Sequence, residues 1–301
     1  GDGLNGAGRT SITADSIRVG NNPSFITQAV TFNSTGDVII NLTGGKNARV
    51  EGTNTAANLT LRADGVILSA DDAVITVSGN AHFKADNNES QAIAINLAAA
   101  QSAGDVQITV GEEAWFQAGN SGDIKVGGEG ITNFGSLRIT AADSVAITEN
   151  SATVLSNASS VGALTLESGG AIIDGQLDEA GGVLTASGPV ALKAMDDASN
   201  LYAITLDNAG HNFSGQALSV DAGALMLSLT GVLQLDKVTV SGLADLSSTA
   251  SVISTPQSDI EIGRLRLATP DSVNLTLSDA VNFANFSDIG GTLYLEAAGD
   301  I

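Results

Sequence analysis

The chain has 301 residues, 43% of them apolar, with 35 glycines, no cysteine and aromatics at only 4%. Twelve Lys and Arg face 33 Asp and Glu, and the formal net charge of −21 works against binding phosphate backbones or docking on anionic lipid through a basic patch. The lack of cysteine removes disulfides, thiolate metal sites and cysteine nucleophiles together, a usage in keeping with bacterial exported proteins.

The first residues, "GDGLNGAGRT", show no initiator Met, basic stretch or apolar core of a signal peptide, so the chain reads as a mature or internal piece of a longer protein. Gly1, Gly3 and Gly6 satisfy the spacing GxGxxG, but no strand pattern precedes them and no helical period follows, so a dinucleotide loop is not expected. From there on the chain repeats one local pattern. Short runs alternate apolar and polar residues and then break at Gly, Asn, Asp or Ser, as in "DVIINL" (Asp37 to Leu42), "NLTLRA" (Asn58 to Ala63), "DVQITV" (Asp105 to Val110), "SLRITA" (Ser136 to Ala141) and "RLRLAT" (Arg264 to Thr269). A period of two predicts strands with one buried face. No apolar run reaches the roughly 18 residues that a membrane-crossing helix requires.

Internal repeats decide the architecture. Residues Ile75 to Leu97 align without gaps on Leu184 to Leu206, with nine of 23 positions identical. The second copy contains Pro189 and ends in a strand pattern, so the Ala-rich stretch Glu89 to Gly104 in the first copy is expected to hold a strand rather than a helix. "LRITAADSVAIT" from Leu137 returns as "LRLATPDSVNLT" from Leu265, and "GALTLESGGAI" from Gly162 returns as "GTLYLEAAGDI" from Gly291. A shorter echo links "ITVSGNAHFKA" from Ile75 with "ITVGEEAWFQA" from Ile108, which sets His82 opposite Trp115 on an outward strand position. In the last third, apolar triplets begin at Leu218, Val238, Ile260 and Val281, steps of 20, 22 and 21 residues with two further strands between them.

Three strands per coil of roughly 21 residues predict an all-β fold, a parallel β-helix or β-solenoid. Residues 1–301 are expected to form one continuous solenoid segment of about 14 coils, with long internal repeats beginning near Leu59, Leu164 and Leu293. The alternative is a set of tandem β-sandwich domains, against which stand the single Trp and only four prolines to mark linkers.

The stretch Gly162 to Leu229 carries three phrases in order: "LTLESGGAI" (Leu164 to Ile172), "LTASGPVALKA" (Leu184 to Ala194) and "ITLDNAGHNFSG" (Ile204 to Gly215). This order resembles the repeat arrays of filamentous-haemagglutinin-like large bacterial surface adhesins. The resemblance implies a right-handed β-helical shaft, export to the cell surface or beyond, and partners among adjoining repeats, filament neighbours, and host or surface glycans. Secretion domains of that family carry Asn-rich signatures such as NPNG. "NNPSF", Asn21 to Phe25, differs, so the chain resembles shaft rather than secretion domain.

Parallel β-helices also carry polysaccharide lyases and hydrolases, which need acids clustered on one face. The adjacent acids are Asp71–Asp72, Glu112–Glu113 and Asp196–Asp197, all beside turn signals, and neighbours on a strand point to opposite faces. No catalytic residue is therefore assigned. Asp71, Asp72, Asp196 and Asp197 are the candidates for Ca²⁺ held between coils, as in an S-layer-like lattice protein, although the nonapeptide array of calcium-binding β-rolls is missing. His82 and His211 lie far apart, without metal-ligand spacing. Trp115 and Phe116 are neighbours on one strand, so alternation directs one inward and leaves one to face solvent or a sugar.

Overall fold

A computed structural model describes residues 11–13, 17–19, 27–88, 91–98, 106–119, 122–128, 130–141, 143–175, 181–277, 282–285 and 293–297, with side-chain surroundings defined between 29 and 276. The glycine pattern at Gly1 to Gly8, the segment Asn21 to Phe25 and the triplet start at Val281 lie outside the described residues. The described elements are all strands. Two compact units divide the chain, Gly1–Asn150 and Ser151–Ile301, and each is a parallel β-solenoid.

In the first unit three columns of parallel strands form the wall. One column stacks Val38–Leu42, Leu59–Ala63, Ala81–Ala85 and residues 114–118 and 137–140. A second stacks Asn47–Val50, Ile67–Ser69, Ile93–Ala98, Asp123–Gly127 and Ser144–Glu149. The third stacks Thr53–Ala56, Val74–Val77 and residues 107–110 and 132–134. The strand expected within Glu89 to Gly104 is Ile93–Ala98.

The second unit follows the same plan. Ala163–Ser168, Val190–Ala194, Ala217–Ala222 and residues 234–240 make one column. Ile172–Ile173, Ala203–Leu206, Ala224–Leu229 and residues 244–248 make another. Ala158–Val161 stacks on Val183–Ala186, and further along Val252 pairs with Val273 and Val273 with Leu293. Parallel ladders throughout exclude the sandwich alternative, whose strands pair antiparallel.

Strand alternation builds the core. Val38–Leu42 buries its first, third and fifth residues, as do Leu59–Ala63 and Ala81–Ala85. Register then stacks Ile40, Leu61, Phe83, Phe116 and Ile139 into one inward row. All five are essentially solvent-free. The two long-repeat copies behave alike: Val74–Val77 and Val183–Ala186 share one burial pattern, and Ala81–Ala85 and Val190–Ala194 share another.

Coil length is less regular than the 21-residue beat. Register steps of 21 and 22 residues (Val38 to Leu59, Leu59 to Ala81) are followed by 33 (Ala81 to Ala114) and 23 (Ala114 to Leu137). In the second unit, Ile172 to Ile204 is 32 residues and Val190 to Leu218 is 28. Longer coils mean fewer turns than a strict beat of 21 provides. The triplet starts are also offset: Val238 pairs with Val220, not with Leu218, because the register shifts between Leu218 and Val220. The step from Val238 to Ile260 is a true coil.

Corners are fixed by polar ladders. Asn58 Nδ2 donates to Asp37 Oδ1 (2.8 Å), its Oδ1 accepts the Asn80 N–H (2.9 Å), and Asn80 Nδ2 donates to Glu112 Oε2 (2.6 Å). Gly79 makes room for this ladder, since a Cβ there would lie 2.4 Å from Asn58 Oδ1 and 2.9 Å from the Ala57 carbonyl. Buried Asn54 works similarly, accepting the Phe32 N–H (2.9 Å) and donating to the carbonyls of Gly52 (2.9 Å) and Glu51 (3.1 Å).

Candidate functional site

Three places gather side chains whose chemistry exceeds simple core or turn packing. The first is on the outward side of the first unit. Register sets His82 opposite Trp115 and Trp115 opposite Arg138. The His82 and Trp115 rings stack at 3.9 Å between centroids and 3° between planes, and the Arg138 guanidinium carbon lies 4.1 Å from the Trp115 ring centroid. His82 Nε2 donates toward Gln117 Oε1 (3.2 Å) and Trp115 Nε1–H toward Thr140 Oγ1 (3.4 Å). The expected alternation holds: Phe116 points inward, stacking on Phe83 at 5.1 Å, and Trp115 points outward. Both faces of the indole are occupied, one by His82 and one by Arg138, so neither remains for a sugar. Burial is the first cause that holds the His82 imidazolium pKa below its ordinary value. Lys84 and Arg138 add to the lowering, while Gln117 and Glu113 oppose it.

The second place is buried in the second unit. The Leu184 N–H donates to His211 Nδ1 (2.9 Å), so that nitrogen is the acceptor and the proton sits on Nε2. Nε2–H donates to Asp174 Oδ2 (2.9 Å), which also accepts the Asn208 N–H (2.7 Å). The His211 side chain is 0% exposed and that of Asp174 4%. This pair orients a histidine as in hydrolytic triads, but His211 has both ring nitrogens committed and no nucleophile takes the third role. It is a polar clamp closing the coil that runs from Ile172 to Ile204.

The third place is a recess of about 270 Å³ on the outward side of the second unit, lined by Thr165, Glu167, Ala191, Lys193, Ser219, Asp221, Lys237 and Thr239, with Leu166, Leu192 and Val220 at its floor.

The four calcium candidates occupy two turns, one in each unit. Asp71 and Asp72 lie in the turn between Ile67–Ser69 and Val74–Val77. Asp196 and Asp197 lie between Val190–Ala194 and Ala203–Leu206. Asp196 is engaged within its own turn: Oδ1 accepts the Asn200 N–H (2.8 Å), and Oδ2 accepts Asn200 Nδ2 (2.9 Å) and the Tyr202 hydroxyl (2.9 Å). The side-chain hydrogen bond from Asn200 is the main reason its carboxyl pKa is lowered, and the same carboxylate raises that of Tyr202. Among the described residues no three His, Cys, Asp or Glu side chains gather to hold a metal. Glu112 and Glu113 stand at the corner where the register shifts between Val110 and Glu113, and Glu112 holds the asparagine ladder.

Fold and surface together define a β-solenoid repeat protein. Residues 142–221 match a protein-family model described as Repeats of unknown function (DUF5649). No curated protein and no solved structure matches the chain.

Proposed function

We propose that the chain is a structural shaft segment of an exported bacterial adhesin or extracellular filament, projecting a binding region from the cell surface. The observation that carries this reading is the continuous inward row Ile40–Leu61–Phe83–Phe116–Ile139, with each coil hydrogen-bonded to the next. Such a wall propagates by adding coils, and its role is extension. The acid surplus keeps a long exported chain soluble, and the absence of cysteine suits unfolded passage through an oxidising compartment. The reading includes no catalysis by this segment. Its adjacent acids serve turns and corners, as Asp196 and Glu112 illustrate. Adjoining repeats of the same chain are its first partners, and glycans belong to the distal binding region.

Two experiments test the reading. Protease treatment of intact cells producing the full protein should release fragments of this segment. If the segment stays protected until the cells are lysed, the export reading falls. Deleting Leu59 to Asn80, one 22-residue register step, should leave a folded solenoid, because Asn58 then precedes Ala81 as Asn80 does. Deleting half of that length should not. If both deletions unfold alike, extension by whole coils is wrong.

A further inference from the structure

The recess in the second unit departs from the acidic character of the chain. Glu167, Lys193 and Asp221 stand in lateral register on three successive coils. Lys237 follows on the next strand, adjacent to the Val220–Val238 pair. Along the stack the signs read minus, plus, minus, plus. Beside them Thr165, Ala191 and Ser219 are also in register, and these short side chains leave the face recessed. Among the described residues, none of the four charged side chains makes an ion pair or a side-chain hydrogen bond.

We propose that this face is a lateral contact between two antiparallel copies of this chain. A row of alternating signs with an even number of members is complementary to itself when reversed. With a two-fold axis between Lys193 and Asp221, Glu167 meets the second copy's Lys237 and Lys193 meets the second copy's Asp221. The isologous operator then repeats each pair. A parallel, in-register neighbour instead sets every charge on its like, so the row selects orientation as well as partner. A net charge of −21 opposes approach of a second copy over most surfaces, while this face is balanced. The small residues between the charges let the backbones come close.

Four coils at 4.8 Å spacing span about 14 Å, well short of a standard interface. The contact is therefore weak, salt-sensitive and effective mainly where repetition multiplies it. It does not depend on the shaft reading, since it concerns only this chain and its copy.

Sedimentation velocity of the full chain over a concentration series, at low and at high salt, tests the proposal. Wild type should self-associate at low salt and remain monomeric at high salt. The K193E/K237E variant makes the row uniformly negative and should weaken association at least tenfold. The fourfold swap E167K/K193E/D221K/K237E restores alternation with inverted signs and should associate as wild type does. A mixture of K193E/K237E with E167K/D221K should form heterodimers. Far-UV circular dichroism checks that each variant is folded. Wild type monomeric at low salt, association insensitive to K193E/K237E, or a folded fourfold variant that fails to regain association would each overturn the proposal.

Discussion

Each unit contains a coil longer than its neighbours, and the two fill it by opposite means. In the first unit the 33-residue step from Ala81 to Ala114 is bridged by aromatic rings: Phe83 stacks on Phe116 at 5.1 Å, and Phe134 tilts against Phe116 at 5.5 Å. In the second unit the 32-residue step from Ile172 to Ile204 is closed by His211, Asp174 and the Asn208 amide, all hydrogen-bonded to each other. A wider lumen needs more volume or more cross-links. Apolar filling is tolerant of geometry but leaves cavities when truncated, whereas a buried polar clamp demands that every donor and acceptor be matched.

Phe116→Ala attacks the aromatic solution. It removes a fully buried ring with two aromatic neighbours and should cost about 3–5 kcal/mol. Hydrogen exchange should rise in residues 81–85 and 137–140, the strands that stack on its own. Unchanged exchange there would mean that the rings do not support the wide coil.

Asp174 separates charge from pairing in the polar solution. Asp174→Ala leaves His211 Nε2–H and the Asn208 N–H buried without acceptors and should cost about 2–4 kcal/mol. Asp174→Asn should cost less, because Oδ2 alone accepts both bonds and an amide oxygen can replace it. Equal losses for the two variants in denaturant melts would show that the charge, not the pairing, closes the coil.

Thr132 is a smaller test of matching. It is buried in the row Ile75–Ile108–Thr132, and its Oγ1 is without a hydrogen-bond partner among the described residues. The first unit therefore breaks the rule that the clamp obeys. Thr132→Val should raise stability by about 1 kcal/mol by removing an unpaired hydroxyl at nearly constant shape. A loss of stability in the same melt would show that the hydroxyl has a partner, such as water.

The strand beat, the inward alternation and the Ile75/Ile108 echo were legible in the sequence because period two and short-range repetition are properties of the chain itself. The echo proves to be direct stacking of one coil on the next, with Ala81 to Ala85 pairing residue for residue with Ala114 to Ala118. That also located Trp115 and His82 correctly. The His211–Asp174 clamp was not legible, since the two residues are 37 apart and only the structure gives the unequal coil lengths that bring them together. The match of "DNAGHNFSG" to a loop phrase carries no partner information. The asparagine ladder from Asp37 to Glu112 was hidden for the same reason: Asn reads as a turn former, and which turn lies above it depends on coil length. The alternating row Glu167, Lys193 and Asp221 emerges only once steps of 26 and 28 residues are known.

The smallest expected effect separates the two histidines. His211 is enclosed with both nitrogens committed, while His82 lies on the outer wall between Trp115, Gln117 and Lys84. Burial, aided by Lys84 and Arg138, lowers the folded-state pKa of His82 below its ordinary 6.5. Between those two values the unfolded chain binds more protons than the folded one, so stability rises with pH across that window. The contribution is fully present above 6.5 and is lost as pH falls through the folded value. His82→Gln removes this titration and keeps a hydrogen-bonding side chain beside Gln117. Melting temperatures of wild type and variant should differ by a constant amount above pH 7 and converge, or cross, as pH falls below about 6.5. Curves that stay parallel down to pH 5 would mean that His82 is solvated as freely in the fold as in the unfolded chain. The stack on Trp115 would then shield nothing, and the outer wall would differ from the clamp in kind, not only in degree.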